Sequence, residues 1–71
     1  MQYFLLIDDE PEECSKDYFY FNITQLQNKI SKNKHLHILV TKIENDVSIV
    51  SLYYFKSGAL KILVGFIEEY K

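Results

Sequence analysis

A chain of 71 residues is long enough for one small domain, and its 48% apolar content, with six tyrosines and five phenylalanines, argues against a disordered segment. All eight basic residues are lysines and the net charge is −2, so the guanidinium groups that read phosphates and guanines are absent and nucleic-acid binding is disfavoured. The single cysteine, Cys14, excludes an internal disulfide, and with only two histidines beside it a four-ligand zinc site is not expected.

The first predicted elements are two strands joined by an acidic loop. Residues 2–7 form an apolar run that is too short for a helix and predicts a buried strand. Residues 8–17 contain six acids and one lysine and predict an exposed loop. The aromatic run of residues 18–21 follows, and its alternating tyrosines and phenylalanines predict a second strand.

One helix is predicted over residues 23–33. Asn22 is a residue type that caps helices, and it stands directly before an apolar stripe. Ile23, Leu26 and Ile30 make up that stripe, at the spacing of one helix face. The stripe is narrow, so we expect the helix to bury one side against a sheet.

Three longer strands are predicted over residues 35–44, 47–56 and 59–70, which are rich in β-branched and aromatic side chains. Two-residue turns at 45–46 and 57–58 separate them and leave no room for crossover helices, which indicates an antiparallel meander. The predicted fold class is therefore α+β: a small antiparallel sheet of four to five strands with one helix on one face. The predicted order is β-β-α-β-β-β, in a single domain that spans the whole chain.

Two-residue turns also predict the register of the meander. In this register Val40 faces Ser51, and Ile38, Tyr53 and Ile62 form one row on the same face, which we expect the helix to cover. The opposite face is also apolar, although a sheet with one wet face should alternate cleanly. We expect part of it to be covered by the N-terminal strand and loop, by a second copy of the chain or by a partner. Its predicted members are Leu39, Ile43, Val50, Leu52, Tyr54, Leu63 and Ile67.

The segment Leu-Leu-Ile-Asp-Asp-Glu-Pro at residues 5–11 resembles the opening of response-regulator receiver domains. In those domains a first strand ends in an acidic pair that holds a magnesium ion. The resemblance covers seven residues and implies a parallel sheet with a later phosphoacceptor aspartate and a lysine beyond it. The predicted meander departs from that pattern, so we interpret the segment as an apolar strand that runs into an acidic loop.

The acidic loop is a second candidate binding surface. It would dock against a basic surface of another protein, where charge complementarity speeds encounter and selects partners. The alternative is a solvated loop that keeps a small apolar domain soluble. The carboxylates concerned are Asp8, Asp9, Glu10, Glu12, Glu13 and Asp17.

The remaining reactive side chains form no recognisable catalytic or cofactor-binding set. His35 and His37 fall on one side of a strand without a third ligand at a suitable spacing. Cys14 has acidic neighbours, which raise a thiol pKa and disfavour a reactive thiolate. No glycine-rich phosphate loop and no triad spacing is found, so we expect no catalytic, metal or cofactor site and no enzymatic activity.

These observations predict a non-catalytic protein-binding module, in the form of a small inhibitor or regulatory protein that occludes a surface on a larger bacterial protein. The lysine-rich, arginine-free composition is typical of AT-rich coding sequence and indicates a phage or mobile-element type, such as an anti-defence, immunity or antitoxin-like protein. One alternative is a homo-oligomeric structural or interaction protein, for example a homodimer. Another is a weak single-stranded nucleic-acid binder that uses tyrosines. We expect a cytoplasmic location, because no signal peptide or membrane span is recognisable.

Overall fold

The computed structural model describes residues 1–30, 35–57 and 60–70, with residues 38–41 described by their backbone alone. Its elements are β1 (Gln2–Ile7), β2 (Glu10–Cys14), α1 (Lys16–Lys29), β3 (His37–Glu44), β4 (Val47–Ser57) and β5 (Leu60–Tyr70). The strands form one antiparallel sheet in the order β2-β1-β5-β4-β3. The α+β fold class and the order β-β-α-β-β-β are confirmed.

The turn between β3 and β4 is built from two residues with left-handed backbone. Asn45 and Asp46 have φ angles of 50° and 63°, and the pairing of Glu44 with Val47 confirms the predicted turn between β3 and β4. Such φ values are typical of the type I′ turns that match the twist of a hairpin, and asparagine and aspartate tolerate them well. The predicted turn at residues 57–58 includes a residue outside the described ranges.

The second strand lies elsewhere than predicted. It is formed by Glu10–Cys14, within the predicted acidic loop, because Asp8 and Asp9 adopt φ angles of 52° and 65° and close a hairpin with β1. A charged strand that contains Pro11 suits the edge of a sheet, since charges and proline discourage pairing with another chain. The antiparallel pairing of β1 on both sides also departs from the parallel sheet of receiver domains.

The helix begins seven residues earlier than predicted. Ser15 is its N-cap, with a side-chain oxygen that accepts a hydrogen bond from the Tyr18 backbone N–H at 3.2 Å. The predicted strand of residues 18–21 is therefore wrong, because a serine cap and the acidic first turn start a helix there instead. Asn22 lies inside the helix, where its Nδ2 donates to the Tyr18 carbonyl oxygen at 2.8 Å. The predicted final residues, 31–33, lie outside the described residues.

The core lies between the first half of α1 and the middle of the sheet. Phe19 is completely buried and packs in one cluster with Tyr3, Leu5 and Leu52. Gly65 provides the space for this contact, since a Cβ atom at this position would lie 3.1 Å from Cε2 of Phe19. The partly buried residues around the cluster are Cys14, Ile23 and Ile67.

The predicted register between β3 and β4 holds near the turn and fails beyond it. Val40 pairs with Ser51, as predicted. The pairing then shifts between Ile38 and Val40, so that Leu52, and not Tyr53, is the partner of Ile38. The shift is a β-bulge, which adds one residue to β3. No residue type in this part of the sequence predicts it.

The register between β4 and β5 differs from the prediction at every point. Tyr53 pairs with Leu63 and not with Ile62, and Ser51 pairs with Phe66. The pairing shifts twice, between Phe55 and Ser57 and again between Leu52 and Tyr53. The second shift leaves one extra residue on β5 between Leu63 and Gly65, which turns Leu63 to the side of the sheet away from Gly65.

The side of the sheet that the helix covers is the reverse of the prediction. The helix packs against Leu52 and Ile67, which belong to the face that was expected to be open. The physical reason is that Gly65 lies on this face and has no side chain, which allows the Phe19 ring to approach the sheet closely. The face that was predicted to be open consisted of Leu39, Ile43, Val50, Leu52, Tyr54, Leu63 and Ile67. Leu39 is among the residues described by their backbone alone.

Candidate binding surfaces

The sheet has one face over which no described element lies. Because side chains alternate along a strand, residues whose neighbours point to the helix point to this second face, and the strand pairing brings them together. We call it the helix-free face. Its members on β1, β4 and β5 include Gln2, Phe4, Val47, Ile49, Ser51, Tyr53, Phe55, Lys61, Leu63, Phe66, Glu68 and Tyr70.

Aromatic contacts organise the helix-free face at two places. Phe4 and Phe66 stack with their ring centroids 4.9 Å apart and an interplanar angle of 18°. Tyr53 and Phe55 meet edge to face at 5.7 Å, and the ring of His37 lies 5.5 Å from Phe55. These contacts hold large rings on a surface without a covering layer, which is the kind of side chain that dominates protein interfaces.

Tyr53 is the most buried residue of the helix-free face, at 1% exposure, although it lies outside the core cluster beneath the helix. Lys61 covers it, with Nζ 4.2 Å from the centroid of the tyrosine ring, a cation–π contact. The Tyr53 hydroxyl is buried and has no hydrogen-bond partner among the residues that the structure describes. A buried hydroxyl without a hydrogen-bond partner lowers the stability of the folded state by about 1–3 kcal/mol.

A shallow cleft of about 330 Å³ lies beside Tyr53 on the helix-free face. It is lined by Lys42, Ile49, Ser51, Tyr53, Lys61 and Leu63. Lys42 is engaged by Glu44, whose carboxylate accepts a hydrogen bond from Nζ at 2.8 Å. This hydrogen bond and the charge of its partner raise the pKa of Lys42 and lower the pKa of Glu44. The cleft is thus apolar at its floor and carries two ammonium groups at its rim.

The predicted acidic loop becomes a hairpin along one edge of the sheet. Five of its carboxylates lie in the β1–β2 turn and on β2, all on exposed residues, and Asp17 lies in the first turn of α1. Carboxylates at a helix N-terminus are favoured by the helix dipole, so Asp17 also supports the helix start. The structure therefore places five of the predicted acids together on an exposed edge, and it attributes a local structural role to the sixth.

Cys14 closes β2 and points towards the core. Burial, and to a smaller degree the neighbouring Glu13 carboxylate, raise the pKa of the Cys14 thiol. At neutral pH the sulfur is therefore protonated and weakly nucleophilic. His37 lies against aromatic rings, and within residues 1–30, 35–57 and 60–70 no group of three histidine, cysteine or acidic side chains is arranged to hold a metal ion.

Sequence reasoning missed the helix-free face as a candidate surface. The bulge on β5 places Leu63 with Phe66 and Tyr53, whereas a continuous strand would have placed it with Ile67. Gly65 was the available signal, because a glycine in the middle of a strand marks a close approach of another element. The exposed Ile43, at 62%, is the member of the predicted surface that remains open on the helix side.

Within the part of the chain that the structure describes, no helix is long and apolar enough to cross a membrane. Comparisons with protein-family models, with curated proteins and with solved structures gave no match. A function for this chain therefore has to be argued from its own residues.

Proposed function

We propose that the chain is a non-catalytic protein-binding module that binds through the helix-free face. The observation that carries the proposal is that, among the described residues, one helix covers one side of a five-stranded sheet and no element covers the aromatic and aliphatic side chains of the second side. Leu63, exposed at 40%, stands at the centre of that surface beside the cleft. A rigid sheet that presents clustered aromatic rings is well suited to anchor a protein partner.

The charges on the helix-free face favour a protein partner over a single-stranded nucleic acid. Binding to a phosphate backbone requires a groove of uncompensated positive charge along the aromatic rings. Here Lys42 is paired with Glu44, and Glu68 lies on the same face as Lys61. The positive charge that remains is too small for a nucleic-acid surface.

The acidic hairpin supports a more specific form of the proposal. Its exposed carboxylates at the β2 edge would select a partner with a basic surface, as expected of a protein that binds DNA or RNA. A small inhibitor or regulatory protein of phage or mobile-element type, acting in the cytoplasm on a larger bacterial protein, fits this combination of apolar face and acidic edge. Masking of the partner's functional surface would be its mode of action.

The test compares two apolar-to-acidic substitutions on opposite sides of the sheet. Leu63→Asp places a charge on the helix-free face, and Ile43→Asp is the matched control on the helix side, at another exposed strand position. Each purified variant and the wild type is immobilised and exposed to a lysate of a low-GC bacterium, and bound proteins are identified by mass spectrometry. We expect a stoichiometric partner that wild type and Ile43→Asp retain and Leu63→Asp loses.

Two results would contradict the proposal. Retention of the partner by Leu63→Asp would show that the helix-free face does not bind it. Absence of any stoichiometric partner from every lysate tested, including a second copy of the chain, would remove the protein-binding function altogether. Circular dichroism spectra that match the wild type confirm that both variants are folded.

A further inference from the structure

We infer that a second copy of this chain occupies the helix-free face, with the two sheets stacked face to face about a two-fold axis that runs across the strands. The inference deepens the proposed function and rests on it, because it names the occupant of the same surface. It follows from the order of charged and apolar side chains along β5.

Strand β5 presents five side chains in a row to the helix-free face, and the last of them is Tyr70, the partner of Val47. Their partners on β4 show that they share it: Lys61 pairs with Phe55, Leu63 with Tyr53, Phe66 with Ser51 and Glu68 with Ile49. Within the row, the positive charge of Lys61 and the negative charge of Glu68 therefore flank two apolar side chains, and Tyr70 follows beyond Glu68.

This order is complementary to itself when it is reversed. A two-fold rotation about an axis across the strands, midway between Leu63 and Phe66, brings Lys61 opposite Glu68 of the second copy and Leu63 opposite Phe66 of the second copy. Symmetry repeats each contact, so two ion pairs flank an apolar centre. Aligned sheets pack about 10 Å apart, a distance that side chains of this size bridge.

The charges also select this axis over the alternative. A two-fold axis parallel to the strands and over β5 would place each Lys61 opposite the same lysine of the second copy and each Glu68 opposite the same glutamate. Like charges in direct opposition are unfavourable, so they disfavour that arrangement. Lys61 and Glu68 thus specify the relative direction of the two sheets as well as their attraction.

The same rotation also places residues of β4 opposite β4 of the second copy. Tyr53 lies in the row of Leu63 and Ser51 lies in the row of Phe66, so the rotation places Tyr53 opposite Ser51 of the second copy.

The test is sedimentation equilibrium of the full chain across micromolar concentrations at low salt, for the wild type and for charge-reversed variants. We expect a dimer for the wild type. Lys61→Glu or Glu68→Lys alone turns two attractive pairs into two repulsive ones, which should raise the dimer dissociation constant about tenfold or more. The double variant Lys61→Glu/Glu68→Lys should restore the dimer. Glu69→Lys, which makes the same charge change on the opposite face, is the matched control and should leave it intact.

A wild-type monomer at all concentrations would overturn the inference, as would a dimer that both single reversals leave unchanged or that the double reversal fails to restore. If a single variant does not fold, the wild-type dimer itself provides the measurement: added salt should weaken it, and salt-independent dissociation counts against the ion pairs. A monomeric protein that still captures a partner in a Leu63-dependent manner overturns the second copy as occupant while the proposed function stands.

Discussion

The ring of Phe19 lies directly over Gly65, in the one position of β5 where the sheet offers no side chain to the helix. A Cβ atom at residue 65 would lie 3.1 Å from the phenylalanine Cε2 and 2.6 Å from the carbonyl oxygen of Phe4. The contact fixes both the height of α1 above the sheet and the side of the sheet on which it lies.

Gly65→Ala should therefore lower the free energy of unfolding by about 2 kcal/mol, because an added methyl group overpacks a filled core. Urea denaturation followed by circular dichroism measures the change. In the double variant Gly65→Ala/Phe19→Leu the ring contact is relieved but the Phe4 backbone contact remains, so stability should not return to that of Phe19→Leu alone. An unchanged free energy of unfolding for Gly65→Ala would show that Phe19 does not pack on residue 65.

Phe19 and Phe21 should respond very differently to truncation. Phe19→Ala removes a completely buried ring and should cost about 4 kcal/mol. Phe21 is 61% exposed, so Phe21→Ala should change stability by less than about 0.5 kcal/mol. Thermal denaturation of both variants is the measurement. Equal losses would contradict the helical assignment, because residues two apart share a face in a strand and lie on opposite sides of a helix.

These two phenylalanines also explain why the N-terminal half was predicted only in part. The alternation in residues 18–21 is compatible with a strand when read alone, and aromatic residues favour strands by propensity. The deciding features are Ser15 as a cap and Asp17 in the first turn, which lie inside a segment whose many charges predicted a loop. β1 and the three strands of the meander, although not their register, were predicted correctly because their apolar runs are continuous and bounded by polar segments.

Ser15→Ala should lower the free energy of unfolding by about 1 kcal/mol, since the Tyr18 N–H then loses its side-chain acceptor. Asn22→Ala is the informative comparison, because sequence analysis predicted the cap at this position. Asn22 lies within the helix, where alanine has the higher helix propensity, so its replacement should be close to neutral. Chemical denaturation distinguishes the two, and a larger loss at Asn22 than at Ser15 would place the helix start where it was first predicted.

The Cys14 thiol should be alkylated by iodoacetamide at pH 8 more slowly in the folded protein than in urea. Burial and, to a smaller degree, Glu13 raise its pKa, which lowers the thiolate fraction, and partial burial also limits access. Because the folded pKa is raised, the contribution of this group to stability is complete below the unfolded pKa and is lost as the pH rises through the folded value. Mass spectrometry of timed samples gives the rates. Equal rates in the two states would contradict the assignment of Cys14 to the core margin.

The helix-free face shows where prediction from this sequence reached its limit. The extra residue of β5 between Leu63 and Gly65 reverses the side on which Leu63 lies, and one residue of register exchanges the two faces of a strand. Gly65 stands at the shift, but a glycine inside a strand does not show which neighbouring residue is the extra one. The acidic carboxylates were identified correctly as an exposed group because charge alone determines their exposure.

The order β2-β1-β5-β4-β3 has a consequence for biosynthesis. β5 is translated after the other four strands, and it is also the strand that joins the N-terminal hairpin to the β3–β4 pair. Until β5 has emerged from the ribosome, β1 therefore lacks its second neighbouring strand, and the helix lacks Gly65, on which Phe19 packs. The sheet can close only once β5 has left the exit tunnel, so a nascent chain stalled before it would expose both halves of the core to chaperones.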